Sequence, residues 1–146
     1  MFETLEYLAP ARTVAFTLQG VRTTKEPVVL QLVYGGNGST FFNEFAKLKR
    51  PSVDASQSEW TAWRERVATL LASHVVVGWE YVDDKGAPVP FTPENCAALF
   101  RRLINLKDAR GATVGRWDIV EGVLLYALDP DNFRAPMPEP DELGKG

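Results

Sequence analysis

The spacing of apolar positions along this chain switches between two and three-to-four residues, and the switches divide it into elements. Val14, Phe16 and Leu18 alternate with Thr13, Ala15 and Thr17, which predicts a half-buried strand over 13–19. Val28, Leu30, Leu32 and Tyr34 alternate with Val29, Gln31 and Val33, predicting a second strand over 27–34. Gln19 to Pro27 is polar and contains Gly20, so a hairpin loop joins the two. The period then lengthens. Phe41, Phe42, Phe45 and Leu48 recur at helical spacing with Glu44, Lys47 and Lys49 opposite, predicting a helix near 39–49 that Arg50-Pro51 ends. Ser56 and Glu59 stand at capping-box spacing and open a helix over 57–73. Its apolar stripe is Trp60, Trp63, Val67, Leu70, Leu71 and His74, and both tryptophans are read as core.

From Val75 to Val82 the chain is β-branched and aromatic, a composition suited to a pleated surface. Strict alternation places Val75, Val77, Trp79 and Tyr81 on one face and Val76, Gly78, Glu80 and Val82 on the other. Gly78 would then leave room for a neighbouring backbone or ring. Asp83-Asp84-Lys85-Gly86 reads as a turn. Pro88 and Pro90 cannot donate to a sheet ladder, so 88–91 is an edge strand or extended arm. Thr92 is placed to cap a helix, Pro93 takes its first position, and Phe91 and Cys96 occupy the staple positions around the cap. Cys96, Leu99, Phe100, Leu103 and Leu106 continue that helix over 93–106. Ile119, Val120, Val123, Leu124, Ala127 and Leu128 form a last face over 117–128, with Asp118 and Glu121 at capping-box spacing, before Asp129-Pro130 stops it.

The fold class is therefore α+β: a small, mainly antiparallel sheet of three to four strands packed on one face against about four amphipathic helices. Residues 1–134 make one domain. Residues 135–146 hold Pro136, Pro138 and Pro140 among acids and glycines, and are expected to be a flexible tail that the domain can fold without. Residues 1–12 have no clear period; Phe2, Leu5 and Tyr7 could pack a short lead-in.

Composition narrows the chemistry. At 146 residues and 45% apolar content, the chain can bury a core without disulfides or metal. Its single cysteine excludes an internal disulfide and suits a reducing compartment. No apolar run reaches a membrane span, and the acidic N-terminus lacks a signal peptide's basic region. Net charge is −3, and it belongs to the end of the chain. From Asp129 onward there are five acids and two bases, which leaves fourteen of each before it. A balanced body offers no electrostatic footprint for nucleic acid. Arg101, Arg102, Lys107, Arg110 and Arg116 could form a patch, but a solvated helix face explains them better.

Catalytic motifs are lacking. Gly35-Gly36-Asn37-Gly38-Ser39 follows a strand and precedes a helix, yet no lysine follows before Lys47, so it is not a phosphate-binding loop. Ser39 is better read as a helix cap. One histidine, His74, and one cysteine cannot make a zinc site. Asp83 and Asp84 are read as solvent-facing turn acids. No enzyme, cofactor or metal is expected.

One resemblance adds a function. Val77-Gly78-Trp79, the acidic turn Asp83-Asp84-Lys85-Gly86, the segment Pro88-Val89-Pro90-Phe91 and the helix start Thr92-Pro93-Glu94-Asn95 resemble the tail assembly chaperones of long-tailed bacteriophages and prophages. Asp131-Asn132-Phe133 is similar to a further family feature. The resemblance implies a non-catalytic protein of the host cytoplasm. Such a protein binds the tape-measure protein, helps recruit tail-tube protein and is absent from the finished virion. Homo-oligomers are compatible with it. Trp79, Phe91 and the Phe41, Phe42 and Phe45 stripe are candidate partner-binding residues. The resemblance also implies a programmed frameshift near the chain's end, with which Leu143-Gly144-Lys145 is compatible. The alternative is a structural virion component, such as a head–tail connector or tail-completion subunit.

Overall fold

Ser39, Ser56 and Thr92 each open a helix. In every case the side-chain hydroxyl accepts a hydrogen bond from the backbone N–H three residues on, at 2.9–3.1 Å. These caps fix much of the architecture in the computed structural model, which describes residues 12–22 and 26–134. The elements run β1 (Val14–Arg22), β2 (Pro27–Leu32), α1 (Thr40–Ala46), α2 (Gln57–His74), β3 (Val76–Glu80), α3 (Pro93–Ile104), α4 (Trp117–Leu128) and a 3-10 turn (Pro130–Phe133). The fold is α+β, as the periodicity predicts. The expected lead-in, tail and frameshift site lie outside the described residues.

The strands form one antiparallel sheet in the order β1-β2-β3. β1 is longer than the expected 13–19 because pairing resumes at Arg22↔Pro27 after an irregularity beyond Thr17. Val28, Leu30 and Leu32 are buried while Val29 and Gln31 between them are not, so helices cover one face of β2.

β3 departs from strict alternation. Leu32 pairs with Val76 and Gln31 with Gly78, leaving Val77 as the extra residue of a β-bulge. Val77 is consequently 50% exposed, while Val75, Val76 and Leu30 are buried and Trp79 sits opposite Leu30 on the core side. The bulge follows from the entry to the strand. Val75 still has helical dihedrals as the C-cap of α2, yet its carbonyl already accepts from Val33 N–H at 2.9 Å. Gly78 is not a site of close approach either, since a Cβ there would meet only the Gln31 side chain at 3.8 Å. A glycine that does permit close approach in the core is Gly35, whose N–H bonds Ala127 O at 2.8 Å. A Cβ there would lie 2.9 Å from Val75 Cγ2.

The helices bury what their apolar faces dictate, with two corrections. On α2 the buried residues are Val67, Ala68, Leu71 and Ala72. Trp60, Trp63, Leu70 and His74 are only half-buried. Small residues let α2 lie close to α3, its most extensive neighbour, and the bulky tryptophans are turned to the flank. On α3, Leu106 lies beyond the helix end and is 42% exposed, while Ile104 takes the inward position. The start of α4 has no side-chain cap. Arg116 instead donates from Nε and an Nη to both Asp118 oxygens at 3.0 Å. That hydrogen bond is the main cause holding the Asp118 carboxyl below its ordinary titration range. Both groups are exposed, so the pair adds little stability.

The end of the described chain is pinned. Asp129 accepts from Asp131 N–H at 2.9 Å, Asn132 Nδ2 donates to Tyr126 O at 2.9 Å, and Phe133 is 1% exposed. Its ring meets Tyr34 and Tyr126 edge-on at 5.9 and 5.8 Å.

Candidate functional site

The turn after β3 is built by one side chain. Asp83 Oδ1 accepts from the N–H groups of Lys85 and Ala87 at 2.8 and 2.9 Å. Gly86 takes φ +82°, where a Cβ would be strained. Asp83 N–H then bonds Ala87 O, Val89 N–H bonds Tyr81 O, and Val82 bridges Pro88. The proline-bracketed segment is thus an arm folded back along the end of β3. Two side chains hold it. Trp79 Nε1 donates to Val89 O and Asn95 Nδ2 to Pro90 O, each at 2.9 Å. The same local chemistry recurs at Asp108-Ala109-Arg110-Gly111-Ala112. There Asp108 Oδ1 accepts from Arg110 and Ala112, and Lys107 bridges Thr113.

Between this arm and β2 lies an open groove of about 630 Å³. Its lining is mostly apolar, from Pro27, Val29, Trp79, Tyr81, Val82, Pro88 and Val89, and includes the carboxylates of Glu26 and Glu80. Both glutamates are exposed, and Val29 and Glu80 are cross-strand partners facing away from the helices. Trp79 meets Tyr81 at 5.1 Å and Phe91 at 5.4 Å, both edge-on. A mostly apolar lining with two carboxylates suits an amphipathic segment whose apolar face is flanked by lysine or arginine.

The five residues expected to bind a partner do not form one surface. Trp79 and Phe91 touch each other beside the groove. Phe41 and Phe45 stack on one another at 5.4 Å as a separate pair, and Phe45 also faces Trp63. Phe41 is 1% exposed and belongs to the core, so it offers no surface to a partner; Phe42 and Phe45 are half-buried. The groove's other residues, Pro27, Val29, Tyr81 and Val89, carry a sequence signal only in retrospect. Val29 is an apolar residue on the polar phase of its strand.

His74 is half-buried at the end of α2, and Asp83 is committed to its turn. Among the described residues no group of three or more histidine, cysteine or acidic side chains could hold a metal ion. None of their helices is long and apolar enough to cross a membrane.

Residues 38–109 match the family described as YdaY prophage protein. The matched stretch takes in α1, α2, β3, the arm and α3. The match indicates a phage- or prophage-derived protein. No curated protein and no solved structure matches the chain.

Proposed function

We propose that this phage- or prophage-derived protein is a non-catalytic tail assembly chaperone that holds an amphipathic helical segment of the tape-measure protein in the groove between β2 and the arm. The observation that carries the reading is the arm itself. The residues resembling the chaperone family, from Val77 to Asn95, make one unit in which Trp79 and Asn95 clamp Val89 and Pro90. That unit walls an apolar groove open to solvent. A long helical protein with sticky faces needs such a surface to stay soluble before assembly. The carboxylates of Glu26 and Glu80 favour a segment whose apolar stripe is edged with basic residues.

The test is co-expression with a tape-measure protein of the same phage or prophage, followed by pull-down and a solubility measurement. The wild-type chain should co-purify and raise the soluble fraction. Val29→Glu, a change on the solvent-facing side of β2, should abolish both effects while leaving the circular dichroism spectrum unchanged. Failure to co-purify, or a Val29→Glu variant that still does, would refute the reading. So would stoichiometric presence of the protein in purified virions, the outcome expected of a connector or tail-completion subunit.

A further inference from the structure

Three of the four tryptophans meet at a different corner of the molecule, where the first two turns of α2 and the start of α4 come together with the loop after α1. Trp63 lies 5.9 Å from Trp60 and 5.8 Å from Trp117. All three are half-buried. Two guanidiniums lie over these rings. Arg50 is 5.6 Å from both Trp60 and Trp63, and Arg64 is 5.8 Å from Trp60 and 5.6 Å from Trp117. Neither arginine has a carboxylate within ion-pair distance among the described residues. Arg64 Nε and Trp63 Nε1 are shielded from solvent and have no hydrogen-bond partner among the described residues.

The corner therefore sets two guanidiniums against aromatic faces, with no carboxylate pairing either of them among the described residues. The group that complements a guanidinium fork is a carboxylate, which accepts two parallel hydrogen bonds. Tryptophan and arginine are also the residues that dominate binding energy at protein interfaces. We propose that this corner docks a short acidic segment of a partner polypeptide. Its carboxylates pair with Arg50 and Arg64, and its flanking apolar side chains lie against Trp60 and Trp117. Single-stranded nucleic acid fits less well. It needs a basic groove that follows its backbone, and here there are two cations on a body with balanced charge. The proposal is independent of the groove beside β2, with which it shares no residue.

The full chain is titrated with a short synthetic peptide of glutamate spaced by leucine and proline, and tryptophan emission is followed. A glutamine counterpart and oligothymidylate serve as the other probes. The glutamate peptide should bind saturably, at least about tenfold more tightly than its glutamine counterpart. Arg50→Gln and Arg64→Gln should each weaken it several-fold, and added salt should weaken it further. Arg50 is exposed in a loop, so its replacement leaves the fold intact and the result interpretable. Equal affinity for the two peptides, no binding at all, affinity unchanged in Arg50→Gln, or preferential binding of oligothymidylate would each overturn the proposal.

Discussion

Replacing Phe133 with alanine tests whether the 3-10 turn after α4 belongs to the core. The ring is 1% exposed and makes edge-on contacts with Tyr34 and Tyr126. Removing a buried phenylalanine costs about 3–5 kcal/mol, from the lost transfer energy and the cavity left behind. The two aromatic contacts place this site in the upper part of that range. A domain of ordinary stability, about 5–15 kcal/mol, would lose a large share of it. In urea the change is read as a midpoint shift. With a slope of about 2 kcal/mol per molar, Phe133→Ala should lower the midpoint by about 2 M. Phe133→Leu, which keeps most of the volume, should cost less than half as much. Both variants should keep the wild-type slope. A loss below about 1 kcal/mol in Phe133→Ala would mean that the turn is not part of the cooperative unit, whatever its burial.

The bulge in β3 makes neighbouring valines unequal. Val76→Thr should cost about 1–3 kcal/mol by burying a hydroxyl, whereas Val77→Thr should stay within about 0.5 kcal/mol; equal urea midpoints would exclude the bulge. Gly35→Ala drives a methyl to 2.9 Å from Val75 Cγ2 and 3.2 Å from Phe41 Cδ2, so thermal melting should show a loss of about 1–3 kcal/mol. Burial pushes the Cys96 thiol from 9.0 up to about 12. Between those values the unfolded chain releases the proton and the folded chain keeps it. Stability is thus undiminished below about pH 9 and falls as pH rises toward 12, by up to about 1.4 kcal/mol per pH unit. Cys96→Ala should lack that fall when urea midpoints at pH 8 and pH 10 are compared.

Local signals were legible in the sequence and tertiary ones were not. The hydroxyl caps of Ser56 and Thr92, which act on backbone groups a few positions away, place α2 and α3 within two residues of their observed ends, and the apolar stripe alone does so for α4. The bulge left no trace in the pattern. It arises because Val75 closes a helix and opens a strand pairing at once, a conflict that alternation cannot register. The stripe of α2 misleads for a related reason. Trp60 and Trp63 outweigh Ala68 and Ala72 in any hydrophobic pattern, yet close packing against α3 selects the small residues. Of the candidate site, Trp79 and Phe91 were legible through the arm they flank. Val29 and Pro27 were not, because they come to the groove from fifty residues away, across the β2–β3 pairing.

The two Asp-x-x-Gly-Ala turns bracket α3, one before its cap and one after its last residue. The bonds their aspartates accept join groups no more than four positions apart. Hairpins of this kind close in about 1–10 μs. The β2–β3 ladder, by contrast, joins Leu30 to Trp79 and must close a long loop first. The order of events during refolding follows from that difference. α3 would emerge already framed at both ends, and the sheet would be completed onto it. On this account, stopped-flow refolding of Asp83→Ala and Asp108→Ala variants should give high φ-values, and of Leu30→Ala a low one. The reverse pattern would place the sheet first and leave the turns as late ornaments of a fold already made.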